Sequence, residues 1–240
     1  DTHPLMVRMP LHYTQHPIVK PLQLMAQEKI FFDFNIIFKS SANSVFANGF
    51  LLSLASSVLR QSVCGGYTET SAKTLELHDV NLDTFSQVME LWLGNQVRFQ
   101  SFGDIVRLAS VADRFDMREV LSVLEEHVLA TLTCNVSCEV LSVSSSMGLT
   151  RIEDEARKYV LERFEEVART RGFLDLEEEE LASLLDSDEL MASSEECVYE
   201  HLLQWLACVH PHPQESRGCG LLAKVRFPLM KRDYLATEAL

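Results

Sequence analysis

The chain has 240 residues, 47% of them hydrophobic, and a formal net charge of -14, enough material for one large core or two ordinary ones. The acid excess comes with no cluster of Lys and Arg, which excludes a phosphate-backbone surface and with it direct nucleic-acid binding. No stretch reaches the roughly 18 uninterrupted apolar residues of a membrane helix and no signal-peptide pattern opens the chain, so the expectation is an intracellular protein, cytoplasmic or nuclear, without membrane contact.

Prolines at positions 4, 10, 17 and 21 exclude a long continuous helix at the start, and residues 1–30 read as an N-terminal extension. PLQLMAQEKI has the form of a short helix with Pro21 at its first position. FFDFNIIF (31–38) reads as a buried strand, SSAN as a turn and SVFA (44–47) as the returning hairpin strand. From Phe50 to Val63 the apolar residues are too dense for one exposed helix, and Ser56-Ser57 supplies a break and a cap between two short buried ones. Gly65-Gly66 ends the second helix, and TLEL (74–77) is the next strand.

Asn81 caps a helix whose apolar residues Phe85, Val88, Met89 and Trp92 share one face, with Gly94 as terminator. VRF (97–99) is a short edge segment. Ile105, Leu108, Ala109 and Ala112 mark another helix, and Met117, Val120, Leu121, Leu124 and Val128 one more. Beyond Thr131 the two-residue period vanishes, and helices are expected over 135–146, 151–169, 177–186, 194–208 and 217–226. Ser193 and Glu196 have capping-box spacing before a helix that buries Val198, Leu202, Trp205 and Leu206. Strands are thus expected over about 31–100 and helices alone after 134, a mixed first domain (31–132) and an all-helical second one (133–240).

The side chains that carry chemistry are sparse. Six cysteines (64, 134, 138, 197, 208 and 219) are few for this length and read as free thiols. CVHPHP (208–213) offers Cys208, His210 and His212 but lacks the paired ligand spacing of a zinc site, so no metal is expected there. No nucleophile elbow, phosphate loop or H-E-x-x-H occurs, so neither catalysis nor a cofactor is expected. Residues 151–200 hold 17 Asp and Glu against 6 Arg and Lys; this reads either as a solvated helix face with first-turn acids or as an acidic docking surface.

The order of elements, Asp33, Ile36 and Phe38 in the first long strand, VFANGFLLSLASSVL and LELHDVNLDTFSQVMELWLGNQVRF together resemble the BTB (POZ) domain over about residues 31–130. YVLERFEEVARTRGFLDLEEEELASLLDSDEL, SSEECVYEHLLQWL and LLAKVRFPLMKRDYL are similar, in order, to the blocks of a BACK domain. The implied fold class is an α+β BTB/POZ domain followed by an all-α BACK domain. The resemblance implies a homodimer, with Leu22, Met25, Ile30, Phe31, Phe32 and Asp33 near its interface; the apolar run Ile30-Phe31-Phe32 would be hard for a monomer to cover. Where the family commonly has His-Arg after the hairpin this chain has Asn48-Gly49. Asp33 is therefore expected without its cation, exposed or hydrogen-bonded to Asn48 or to backbone groups.

Tyr67-Thr68-Glu69 is similar to the hydrophobic-x-acid motif by which BTB adaptors dock to a cullin ubiquitin-ligase scaffold. An exposed aromatic supplies contact area at small entropic cost and the acid a charged hydrogen bond. The resemblance places Phe115, Met117 and the helices around 135–150 beside it. The alternative for Tyr67 is packing over the preceding helix end. The implied function is a substrate adaptor with a cullin scaffold, a second copy and an unnamed protein substrate as partners. The alternative is a BTB-BACK scaffold that dimerises and recruits proteins without a cullin.

Overall fold

The computed structural model describes residues 5–40, 43–66, 71–209 and 219–237, and its contacts divide the chain into two units, Asp1–Ala130 and Thr131–Leu240.

The N-terminal residues are built into the first unit, a correction to the expected extension and to the expected confinement of strands to 31–100. Leu5–Val7 forms β1, paired antiparallel with Val97–Phe99, which is β5. Three residues are too few for alternation to be legible, yet Val7 and Met9 are buried and supply the apolar area that holds the strand. Leu11–Thr14 is α1 and Val19–Gln27 is α2. Pro21 stands third in α2 rather than first, still among the positions whose N–H has no helical acceptor. This segment also closes the end of the helix Leu82–Trp92, which is α5. The Tyr13 hydroxyl donates to the Trp92 carbonyl at 2.6 Å and Gln23 Nε2 to the Leu93 carbonyl at 2.8 Å, occupying acceptors that a helix C-terminus leaves open. Gly94 follows at φ +82, and a Cβ there would lie 3.3 Å from the side chains of Thr14 and Val19.

Phe32–Phe38 (β2) pairs antiparallel with Asn43–Asn48 (β3) and parallel with Thr74–Leu77 (β4), giving the sheet order β3-β2-β4. Phe34, Ile36 and Phe38 alternate inward and are buried, as period two requires. Gly49–Ala55 (α3) and Ser57–Cys64 (α4) form the crossover, broken as expected at Ser56, whose Oγ accepts from the Leu59 N–H. Phe102–Arg114 (α6) opens on a capping box of Ser101 and Asp104, and Arg118–Ala130 (α7) completes the unit. An edge-to-face run of Phe38, Phe85 and Phe115, with centroids 5.7 and 5.8 Å apart, ties sheet to helices.

The second unit has no strand among its described residues. Cys134–Met147 (α8) ends at Gly148 in the left-handed region, φ +71. The helix expected over 151–169 is two, Thr150–Glu162 (α9) and Phe164–Ala168 (α10), interrupted at Arg163 with no Gly or Pro to announce it. Arg171–Leu174 (α11), Glu178–Leu185 (α12) and Glu195–Val209 (α13) follow. Only Cys219–Leu222 (α14) of the expected 217–226 is helical among the described residues, before Arg232–Thr237 (α15). Ser194 rather than Ser193 opens α13, its Oγ accepting from the Cys197 N–H at 3.3 Å, while Glu196 is engaged instead by the Lys231 N–H. Val198, Leu202 and Trp205 are buried as expected, and Trp205 Nε1 donates to the Leu176 carbonyl. No helix of the described residues is long and apolar enough to cross a membrane.

Candidate protein-interaction surface

Phe31 is displayed by a turn that disfavours its own backbone. Lys29 and Phe31 adopt φ +51 and +53, a region costly for residues with a Cβ, and Phe31 is 74% exposed. Asn48 holds the turn: its Nδ2 donates to the Ile30 carbonyl at 2.7 Å while its Oδ1 accepts from the Leu51 N–H at 3.0 Å, capping α3. Phe31 borders a concavity of about 560 Å³ walled by Met25, Phe34, Phe50 and Val63, with Asp33 and Lys73 at its polar side. Of the residues expected at this surface, Leu22, Met25, Ile30 and Phe32 are half-buried, and Phe31 and Asp33 exposed.

Asp33 has a cation, contrary to the sequence reading. Lys73 Nζ donates to Asp33 Oδ2 at 2.7 Å. That hydrogen bond holds the carboxyl below its ordinary range against a small desolvation, helped by the backbone of Gly49 and of Asp33 itself. A Cβ at Gly49 would stand 3.5 Å from Asp33 Oδ1 and 3.2 Å from Val63 Cγ1, so glycine leaves room for the carboxylate. Lys73 is 40 residues away in sequence. The signal that finds it is the parallel pairing of β2 with β4, which sets Asn35 beside Thr74.

A second surface surrounds α4. Tyr67 and Glu69 lie outside the described residues. Phe115 and Met117 are 3% and 1% exposed, which corrects their expected place on a binding face: they are core residues of the turn between α6 and α7. That turn nevertheless positions α4. Ser56 Oγ donates to the Phe115 carbonyl at 2.6 Å, and Ser57 Oγ to Asp116 Oδ2 at 2.6 Å, while Asp116 also accepts from Arg118 Nε. The side chains on the outside include Val58, 42% exposed, Arg60, Gln61 and Cys64 of α4 and the solvated Arg118.

In the second unit the densest acidic run lies at a helix start. Glu178, Glu179 and Glu180 occupy the first turn of α12, and Glu180 accepts from the Glu177 N–H and from Ser142 Oγ. Burial pushes the Cys138 thiol up to about 12, which keeps it protonated and a poor nucleophile. Cys208 is exposed; His210 and His212 lie outside the described residues. Among the described residues no three His, Cys, Asp or Glu side chains are placed to hold a metal ion.

Residues 22–132 match the family described as BTB/POZ domain, and residues 137–239 the family described as BACK, BTB And C-terminal Kelch. Kelch repeat and BTB domain-containing protein 8 of Xenopus tropicalis is 24% identical over 77% of this chain and 30% of its own length. Kelch-like protein 7 of Homo sapiens is 22% identical over 84% of this chain and 34% of its own; Kelch-like protein 3 of Mus musculus is 27% identical over 71% and 29%. The chain therefore spans about a third of the length of these relatives. The BTB domain of human gigaxonin aligns with 52% of this chain and 98% of that one at 16% identity and a TM-score of 0.37, a likeness too loose to carry weight. The two family matches follow one another and leave few residues between them, and the chain belongs to the BTB-BACK proteins.

Proposed function

We propose that this chain is a non-enzymatic, intracellular substrate adaptor: it pairs with a second copy through the surface around Phe31 and docks to a cullin-type ubiquitin-ligase scaffold beside α4. The reading rests on one observation above the others, a BTB domain followed directly by a BACK domain, with Tyr67-Thr68-Glu69 following Gly65-Gly66 after the end of α4. An adaptor of this kind does no chemistry; it raises the effective concentration of a bound protein substrate beside a ligase that other subunits complete. A net charge of -14 supports protein rather than nucleic-acid partners.

The test is binding of the cullin N-terminal region to this chain and to Tyr67→Ala. An anchor role predicts a loss of about 1–3 kcal/mol, roughly five- to hundredfold in Kd, at unchanged melting temperature. Loss of thermal stability without a change in affinity assigns Tyr67 to packing on the helix end. Absence of binding by the unmutated chain removes the cullin from the reading and leaves a dimerising scaffold. For the self-pairing, Phe31→Asp is expected to shift sedimentation towards the monomer, and a concentration-independent monomer in the unmutated chain would refute it.

A further inference from the structure

A donor-rich concavity of about 320 Å³ lies within the first unit and shares no lining residue with the two surfaces described above. Its walls include Thr84 and Gln87 from α5, Arg98 and Gln100 from β5 and the residue after it, and Asp104 and Arg107 from α6. Arg98 is turned outward because Val97 and Phe99 on either side of it are buried, and it has no acidic partner among the described residues. Arg107 Nη2 donates to Asp104 Oδ1 at 3.1 Å, and the other oxygen of Asp104 accepts from the Ser101 N–H at 3.1 Å. The single carboxylate in the concavity is thus engaged by the capping box and by one edge of Arg107. The rest of that guanidinium, the whole of Arg98 and the two glutamine amides remain as donors.

In a chain of net charge -14 two guanidinium groups in one polar hollow mark a local reversal of sign, and such a hollow concentrates anions. Guanidinium forks match the tetrahedral oxygens of a phosphoryl group, which they bind in bidentate fashion. The volume suits a side chain rather than an extended surface. The acidic remainder of the chain repels both an anionic membrane and a nucleic-acid backbone. Gln87 and Gln100 can each donate and accept, as the amides of a peptide backbone require. The geometry points to a phosphoserine- or phosphothreonine-bearing peptide as the ligand of this hollow, held by Arg98 and Arg107. The chain would then take a protein partner only in its phosphorylated state, independently of whether it binds a cullin.

The experiment is an amide-resolved NMR titration of the whole chain with acetyl-Gly-Gly-phosphoserine-Gly-Gly-amide, its unphosphorylated form, inorganic phosphate and vesicles of phosphatidylserine and phosphatidylcholine. The expected result is saturable movement of the Thr84, Gln87 and Gln100 signals with the phosphopeptide, weaker movement with phosphate and none with the other two. Arg98→Gln and Arg107→Gln are each expected to weaken the phosphopeptide about fivefold or more. Both side chains are solvent-facing, so an unchanged melting temperature accompanies a loss that belongs to binding. No movement with the phosphopeptide, equal movement with its unphosphorylated form, an affinity unaltered by both substitutions, or a response confined to phosphate or vesicles would overturn the assignment.

Discussion

Asn48 stands where β3 becomes α3, and its amide serves both as a helix cap and as a clasp on the Lys29–Phe31 turn. Asn48→Ala is expected to cost about 1–3 kcal/mol in denaturant unfolding, because a cap is lost and a carbonyl in a strained turn is released. Asn48→Asp, which keeps the acceptor and loses the donor, should fall between. The identity of residue 48 marks a departure from the family pattern but not what the departure achieves, since the clasp depends on a carbonyl 18 positions earlier. Asp33 teaches the same lesson: from its sequence it is expected to lack a cation, whereas a parallel strand delivers Lys73. Cysteine reactivity offers a further check. Cys64 and Cys208 are exposed and Cys138 is buried, so mass-resolved alkylation of the native protein should label the first two early and Cys138 last. The folded pKa of Cys138 is raised, from an ordinary 9.0 to about 12. Its contribution to stability is therefore complete below pH 9 and declines between there and about pH 12, which urea midpoints in alkaline buffer would register.

The elements that were legible in the sequence are those whose pattern repeats. The inward alternation of β2, the Asn81 cap of α5 and the Ser56 break each repeat a local rule over enough residues to be read. β1 was not legible, because a three-residue strand is specified by its partner rather than by its own pattern. Removal of residues 1–9 is expected to uncover the edge of β5 and the pocket of Val7 and Met9, lowering the denaturant midpoint of the first unit and promoting self-association. The interruption at Arg163 was equally hidden. Trp205 illustrates the opposite case: its spacing in α13 marked it as core, and only its bond to Leu176 awaited the fold. Trp205→Phe should destabilise the second unit by about 1–3 kcal/mol, from the unsatisfied carbonyl and the smaller ring, with far-UV circular dichroism at 25 °C little changed.

At the scale of the molecule, each unit has its own buried aromatics, Phe38, Phe85 and Phe115 in one and Phe164, Phe173 and Trp205 in the other. Separate cores permit separate unfolding. Thr131–Leu240 produced alone is expected to melt cooperatively by circular dichroism, and a chain with Trp205→Phe should lower one calorimetric transition more than the other. The candidate binding residues were less legible than the fold, because a surface is assembled from distant segments. Tyr67 rests on a three-residue pattern, and Phe115 and Met117 share the apolar spacing of ordinary core positions.

The pairing of β1 with β5 also sets a clock on synthesis. Leu5 meets Phe99, so β1 waits during synthesis for a partner more than ninety residues behind it. At roughly 5–20 residues per second, that interval is on the order of 5 to 20 s on the ribosome. Throughout it Val7 and Met9 have no native pocket, and a nascent second copy on the same message presents the same unpaired strand. β1 is thus a place where chaperone capture, or exchange of strands between neighbouring nascent chains, would act.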